Sequence, residues 1–343
     1  MGLSQTLTLL AERRTLSAEE MRRAVGCLVT PDADPVEAAS FLTALRVRGE
    51  TADELVGAVL ALRDYAAKPN VQRKGLVDTC GTGGAPVATF NVSTAAAIVA
   101  SACGVPVAKH GNRCFSTASG SADVLAALGV RLDAPRGVVE QCLDDIGLAF
   151  FFAPLWHPVM RYLAPVRKTL RFRTVFNLVG PLANPAPVSF QLVGVGQTAW
   201  ADVVAKALQK LGVESAAVVV SQDGLDEVSL SAPTEVLWVQ PDSLRSLVWT
   251  AEDFGLGRID VGDVLAATAE QSADVVRRVL DAEEGPAMNL TLANAAAALW
   301  IARNVRSLSE GVEKARAAIR DGSAARRLEA LVARTAEGRE GES

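Results

Sequence analysis

Residues 78–94 read DTCGTGGAPVATFNVST, and their composition favours binding of a phosphate group. An apolar run precedes the glycines, and an alanine-rich segment follows them. A strand, a glycine-rich loop and a helix in this order bring backbone N–H groups and a helix N-terminus to one point. The stretch is neither G-x-G-x-x-G, because Pro86 stands where the last glycine is needed, nor a Walker loop. The glycines alone are equally compatible with a tight turn that binds nothing.

A second polar loop follows the next apolar run, in VPVAKHGNRCFSTASGSADVLAALG. It carries Lys109, Arg113 and several hydroxyl side chains, and a helix is predicted to begin near Asp123. The carboxyl ends of parallel strands meet at one crevice, so two such loops predict a ligand with more than one phosphate. Taken singly, Lys109 or Arg113 is more typical of a solvated surface charge, and only the two loops together favour binding.

Two further patterns could complete a binding site. Asp226-Glu227 follows the apolar run AAVVV and the turn SQDGL. Adjacent carboxylates after a buried strand suit Mg²⁺ beside substrate phosphates, although an acidic turn is the alternative. The stretch HPVMRYLAPVRKTLRFR places several arginines among aromatic residues, and one such arginine could hold a carboxylate by a bidentate pair.

The elements that must position these residues begin with a predicted helical unit of about four helices over the first ~70 residues. Ser17, Asp34 and Thr51 each stand three residues before a glutamate and ahead of an apolar-periodic run, which is typical of helix N-caps. Gly49 fits the stop after FLTALRVR. Nothing in this unit resembles catalytic machinery.

From residue 75 the pattern changes to short apolar runs that alternate with alanine-rich helices. This predicts an α/β fold, with a mainly parallel central sheet and flanking helices, beside the small all-helical domain. The segment 150–190 breaks the alternation and is predicted to cross back toward the helical unit. We therefore expect a helical domain over 1–72, joined by part of 165–190, and an α/β domain over 73–343.

Composition excludes some classes of function. The 343 residues are half apolar and carry a net charge of −5, so the general basic surface of a nucleic-acid-binding protein is missing and no nucleic-acid partner is expected. Five cysteines without a CxxC pair and only two histidines argue against a zinc site or a disulfide framework. No apolar run spans a bilayer and no secretory signal is seen, so we expect a cytoplasmic protein without a membrane partner.

The motifs occur together in the order DTCGTGG…TFNVST, VAKHGNR…SGSADVLAALG, HPVM…PVRK…RTVFNLVGPLANP and GLDEVSL. In this order they closely resemble the anthranilate phosphoribosyltransferase family, over about residues 5–332. The resemblance implies a nucleoside phosphorylase/phosphoribosyltransferase-like fold, usually a homodimer through the helical domain. It also implies transfer of phosphoribose from phosphoribosyl pyrophosphate to anthranilate, a step of tryptophan biosynthesis, with Mg²⁺ as cofactor and no residue assigned as acid or base.

The resemblance also implies roles for individual residues, carried over by position. The metal ligands would be Ser93, Asp226 and Glu227. Anthranilate would meet Gly81, His110, Asn112 and Arg167, with Arg167 on its carboxylate. The phosphoribosyl pyrophosphate site would comprise Gly81, Thr82, Gly83, Gly84, Thr89, Asn91, Ser93, Thr94, Lys109, Asn112, Ser116 and Ser121.

The chain departs from the family pattern in three places. Ala85-Pro86 stand where Asp-Gly is usual, Ala118 where a basic residue is common, and Arg171-Phe172 where a glycine and a hydrophobic residue are usual. Two alternatives to the active enzyme therefore stay open. One is a family-like protein that has lost catalysis and binds a phosphorylated ligand or nucleic acid. The other is a transferase or phosphorylase of the same fold with a different acceptor, such as another aromatic amine or a pyrimidine nucleoside.

Overall fold

The computed structural model describes residues 2–113 and 119–337. The N-terminal unit consists of four helices, as predicted: α1 Leu3–Ala11, α2 Ala18–Leu28, α3 Pro35–Arg48 and α4 Ala52–Tyr65. The predicted caps are confirmed, because the side chains of Ser17, Asp34 and Thr51 each accept hydrogen bonds from backbone N–H groups of the first turn. Gly49 ends α3 with φ +91°, a conformation that glycine adopts without strain.

The second part of the chain forms a seven-stranded sheet with the order β3-β2-β1-β4-β5-β6-β7. The first five strands are parallel and the last two pairs are antiparallel, so the prediction of a mainly parallel sheet is confirmed. The strands are β1 Leu76–Gly81, β2 Val107–Gly111, β3 Leu148–Phe152, β4 Val188–Gly194, β5 Ser215–Ser221, β6 Thr234–Gln240 and β7 Ser243–Trp249.

Helices cover both faces of this sheet. Short turns of other helix types occupy Cys142–Ile146, Ala251–Phe254 and Val261–Val264. The remaining α-helices are α5 Val92–Ala102, α6 Ser121–Ala127, α7 Arg136–Gln141, α8 Ala153–Trp156, α9 Met160–Leu170, α10 Val175–Leu182, α11 Thr198–Lys210, α12 Ala269–Leu280, α13 Pro286–Ile301, α14 Leu308–Arg320 and α15 Ser323–Glu337. Within the described ranges, no helix is both long and apolar enough to span a membrane.

The hydrophobic core is divided by the sheet. One cluster joins α5 and the C-terminal helices to one face, with Ala97 and Leu292 among its buried members. The other contains the four N-terminal helices, parts of α9, α10 and α11, and Val193 and Val218 of the opposite face. The helical unit therefore shares its core with the sheet, and α9 and α10 pack with it.

The sheet also determines where loops converge. The chain runs outward from β1 to β2 and β3, then returns to β4 on the other side of β1. In open α/β sheets, ligands bind at the carboxyl end of such a switch point, here between β1 and β4. The loops after β1, β2, β4 and β5 all emerge at this edge.

Arg171, one of the departures from the family pattern, has a left-handed backbone conformation. Arg171 ends α9 with φ +56°, in the left-handed region where a side chain costs about 1–2 kcal/mol. A glycine is usual there because this backbone conformation suits glycine, and Arg171 adopts it nevertheless.

Candidate active site

A cavity of about 640 Å³ opens at the carboxyl edge of the sheet, between the loops and helices α9 and α10. It is large enough for two small substrates side by side. Nearly all of the described residues that the resemblance assigns to a site line it: Gly81, Thr82, Gly83, Gly84, Thr89, Asn91, Ser93, Lys109, His110, Asn112, Ser121, Arg167, Asp226 and Glu227.

The glycine loop leaves β1 in a conformation that requires its composition. Gly83 and Gly84 have φ of +65° and +83°. Two successive residues in the left-handed region are strained unless both are glycine, because a Cβ atom disfavours this conformation. The loop is held to β4, because Thr82 N donates to the Gly194 carbonyl at 2.8 Å and Gly196 N donates to Thr82 Oγ1 at 3.3 Å. Helix α5 begins shortly after it, with its N-terminus at the cavity.

Lys109 lies at the centre of the polar end and is only 3% exposed. Its ammonium donates to the Thr79 carbonyl and, at 3.2 Å, to Ser93 Oγ. Burial lowers the pKa of Lys109, and the carboxylate of Asp78 beside it opposes that shift. Asp78 is fully buried, and burial raises its pKa to about 6 despite the lysine charge.

The acidic pair reaches the same end from the loop after β5. Burial is the largest cause of the raised pKa of Glu227, about 8, and the neighbouring charge of Asp226 adds to it. Burial also raises the pKa of Asp226. Two close carboxyl groups with raised pKa values provide the hard oxygen ligands that Mg²⁺ prefers, and a divalent cation would relieve their repulsion. The donor set therefore fits Mg²⁺.

Protein side chains would supply only part of the coordination shell of such an ion. Across residues 2–113 and 119–337, no group of three or more His, Cys, Asp or Glu residues is arranged to hold a metal. Two carboxylates and the Ser93 hydroxyl leave positions for waters and substrate phosphates, which is how Mg²⁺ is usually bound.

The opposite end of the cavity is built from side chains of separate elements. His110, on β2, and His157, after α8, lie edge to face with ring centroids 5.3 Å apart. His110 Nδ1 lies 3.1 Å from the Gly180 carbonyl, which only accepts, so Nδ1 carries the proton. Burial lowers the pKa of His110 to about 3, so the ring is neutral at pH 7. Its Nε2 is buried and has no hydrogen-bond partner in the described chain.

Arg167, on α9, brings a positive charge to this end. Its guanidinium carbon lies 5.8 Å from the centre of the Phe176 ring. Burial lowers the pKa of Arg167, and no carboxylate of the described residues offsets that cost. A guanidinium beside an aromatic ring with no acidic partner is suited to a ligand carboxylate.

One described site residue, Thr94, does not line the cavity. Thr94 is buried inside α5, where its hydroxyl donates to the Asn91 side chain. Ser116 lies outside the described residues, as does Ala118. Arg113, one of the basic residues of the second loop, lines the cavity but pairs with Asp123 at 2.8 Å.

Sequence reasoning missed several residues that shape the site. Asp78, on β1, accepts hydrogen bonds from His110 N at 3.2 Å and from Asn184 Nδ2 at 2.8 Å. It therefore links β1 to β2 and to the segment after α10. The signal for Asp78 was available, since an acidic residue stands inside the apolar run LVDTC. His157 and Arg173 also line the cavity; they are the first and last residues of the stretch HPVMRYLAPVRKTLRFR, but neither was assigned a role from the sequence.

Comparison with known proteins identifies the two parts of the chain. Residues 4–66 match the family model described as Glycosyl transferase family, helical bundle domain. Residues 73–325 match the model described as Glycosyl transferase family, a/b domain.

Curated relatives and solved structures match over nearly the full length. The chain is 47% identical to the anthranilate phosphoribosyltransferase of Thermomicrobium roseum, over 92% of each chain. It resembles the crystal structure of the Thermus thermophilus enzyme with a TM-score of 0.91 and 38% identity, over 96% of this chain and 99% of that one. The Saccharomyces cerevisiae enzyme, in complex with PRPP and Mg, gives a TM-score of 0.89 and 26% identity over 98% of both chains. The same yeast enzyme in complex with 4-fluoroanthranilate gives 0.88 and 27%, again over 98% of both chains.

Proposed function

We propose that this chain, which belongs to the anthranilate phosphoribosyltransferase family, transfers phosphoribose from phosphoribosyl pyrophosphate to the amino group of anthranilate. Pyrophosphate is the second product, and the reaction is a step of tryptophan biosynthesis. The observation that carries the proposal is one cavity that is lined both by the phosphate-suited loops and by Arg167, a half-buried guanidinium with no carboxylate partner among the described residues.

At the donor end, the backbone of residues 81–84 and the start of α5 bind the pyrophosphate through N–H groups. Thr89, Asn91, Ser93, Lys109, Asn112 and Ser121 complete this site, and Thr94 holds the side chain of Asn91. Ser116 remains a predicted donor residue. Lys109 supplies positive charge where the leaving group accumulates negative charge.

Ser93, Asp226 and Glu227 would hold Mg²⁺, a proposal supported by their chemistry and by the Mg complex of the yeast relative. Bound there, the ion would stabilise negative charge on the pyrophosphate.

At the acceptor end, Arg167 pairs with the carboxylate of anthranilate, beside Gly81 and Asn112. Neutral His110 lines the anthranilate site, and the position of the bound ring directs the nitrogen lone pair of the amine toward the ribose. The new bond joins this nitrogen to ribose C1, while the bond from C1 to the pyrophosphate oxygen breaks and its electron pair leaves with pyrophosphate. The amine then loses a proton to solvent, because a histidine whose pKa is about 3 is a weak base.

The decisive measurement is loss of anthranilate fluorescence in the presence of phosphoribosyl pyrophosphate and Mg²⁺. We expect turnover, and the protein should restore growth of a tryptophan auxotroph that lacks this step. Absence of turnover at high enzyme concentration would contradict the proposal. A panel of other aromatic amines and pyrimidine nucleosides identifies a same-fold transferase with another acceptor.

The departure at Ala85-Pro86 does not favour the inactive alternative. Gly224 is so close that a Cβ added to it would lie 2.9 Å from Pro86 Cγ, so the proline packs against the loop that carries Asp226. Ala85 lines the cavity, whereas Pro86 does not. Donor binding without turnover would nevertheless identify a family-like binding protein.

We also propose that the protein is a cytoplasmic homodimer that pairs through the helical domain, residues 1–72 with part of 165–190. The shared core of α9 and α10 with the helical unit supports the inclusion of that segment. Sedimentation equilibrium tests the dimer, and a monomer at micromolar concentration would exclude it.

A further inference from the structure

The guanidinium of Arg173, between α9 and α10, lies beneath the glycine loop. Its Nη2 donates to the carbonyl of Thr82. A Cβ added to Gly84 would overlap Arg173 Nη1, so the guanidinium occupies the space of a side chain at that position. The loop therefore closes on Arg173 through its backbone, and a side chain at Gly84 would displace the arginine.

The loop that carries Asp226 packs against the glycine loop and the end of β4. A Cβ added to Gly81 would lie 3.1 Å from Asp226 Oδ2, and one added to Gly194 would overlap the Asp226 carbonyl oxygen. The positive charge of Arg173 also acts to lower the pKa of Asp226, against the larger effect of burial. Movement of Arg173 would thus affect the glycine loop and the acidic residue packed on it together.

Arg173 is itself held from the other side by Trp200, near the start of α11. The guanidinium carbon of Arg173 lies 5.3 Å from the centre of the Trp200 ring. The guanidinium carbon of Arg46 also lies 5.3 Å from the centre of this ring. Trp200 is 6% exposed, and its core includes the four N-terminal helices. Arg46 is in the last turn of α3, so this contact reaches from the helical unit to the glycine loop.

We propose that Arg173 is a positioning residue for the phosphoribosyl donor, held by Trp200 and Arg46. Arg46, Trp200, Arg173 and the glycine loop form a continuous contact, which we call the loop support. It makes donor affinity depend on Trp200 and, through the Trp200 ring, on Arg46 of the helical domain, neither of which lines the cavity. The inference rests on the proposed function for the identity of the donor, but the geometry of the support does not depend on it.

The kinetic experiment compares Arg173→Ala, Arg173→Lys, Trp200→Leu and Arg46→Ala. Loss of a charged donor to a carbonyl predicts a rise of roughly tenfold or more in the donor KM of Arg173→Ala. Lysine keeps the charge but not the planar group, so Arg173→Lys should recover only part of this loss. Loss of the ring contact predicts a rise of about three- to fivefold for Trp200→Leu and about twofold for Arg46→Ala. The anthranilate KM should stay within about twofold in all four variants, because the loop support acts on the glycine loop of the donor end. A twofold ratio corresponds to ~0.4 kcal/mol.

Matched controls exist at the far edge of the sheet. Arg245 lies over Trp238 at 5.7 Å, and neither lines the cavity. Trp238→Leu and Arg245→Ala should leave the donor KM unchanged. Equal effects in the control pair, or a rise confined to the anthranilate KM, would overturn the proposal.

Hydrogen–deuterium exchange of the ligand-free protein separates this inference from the proposed function. Amides of residues 82–90 should exchange faster in Arg173→Ala and Trp200→Leu than in the wild type, while those of α2 stay protected. Unchanged exchange in the loop would disprove the support, even in an active enzyme. Faster exchange in these variants, with a wild type that shows no turnover, would retain the support and reject the proposed function.

Discussion

The two ends of the cavity are built by different means. The donor end consists of backbone from one loop and charged groups at the ends of neighbouring strands, with Gly83, Gly84 and Lys109 within about thirty residues of one another. The acceptor end consists of side chains that β2, α9 and α10 bring together from residues 110, 167 and 176. A site made of backbone tolerates few changes of conformation, whereas a site made of side chains depends on the packing of the elements that carry them.

The largest effect should come from the acidic pair. Asp226→Asn removes a carboxylate charge but keeps the shape, so we expect turnover to fall by about 100-fold or more if this group holds Mg²⁺. Anthranilate binding should persist in this variant, so anthranilate should still protect Arg167 from an arginine-modifying reagent. Turnover within a few-fold of wild type over a Mg²⁺ titration would remove Asp226 from the metal site and weaken the distinction between the two ends.

Arg167→Ala tests the acceptor end. Loss of a bidentate charged pair should raise the anthranilate KM by on the order of tenfold to 100-fold, while the donor KM changes little. Lys168→Ala is the matched control, because this neighbouring side chain is exposed and lies outside the cavity. A rise in the donor KM alone would contradict the proposed contact between Arg167 and anthranilate and would assign Arg167 to the donor site.

Titration of His110 should make stability depend on pH. The folded-state pKa of about 3 lies below the usual value of 6.5, so the folded protein binds fewer protons. This contribution is present above pH 6.5 and is lost as the pH falls; between pH 7 and 5 it amounts to about 2 kcal/mol. Urea unfolding of His110→Asn should show a correspondingly smaller loss over this range. The raised pKa of Asp78 acts in the opposite direction in both proteins. Burial also lowers the pKa of His157, whose ring contacts His110, so His157→Asn and the double variant are measured beside His110→Asn.

The smallest effect should come from the departure in the glycine loop. Pro86→Gly frees the unfolded chain and removes the contact with Gly224, so the free energy of unfolding should fall by about 0.4–1 kcal/mol. The donor KM should change less than about fivefold, the ratio that corresponds to ~1 kcal/mol. Pro86→Ala separates the ring contact from the added flexibility. A larger change in the donor KM would mean that Pro86 acts on the ligand directly.

Much of the fold could be predicted because its signals are local. Ser17, Asp34 and Thr51 mark the starts of helices through their own first turns, and Gly49 marks an end. The hairpin of β6 and β7 was not predicted, although TEVLWVQ and SLRSLVW are short apolar-rich runs separated by Pro-Asp. Asn91 is the N-cap of α5 but makes no side-chain cap bond there, so the start of this helix has a weaker local signal.

By itself, the sequence determined the helical unit, the parallel sheet and the loops that suit phosphate, because capping, hydrophobic periodicity and glycine conformation act over a few residues. Only the tertiary structure decided which buried groups share one cavity. Arg173 meets the carbonyl of Thr82, 91 residues away, and Asn184 reaches Asp78 across 106 residues. Contacts of this kind depend on how whole elements pack, and no local property of either residue specifies its partner.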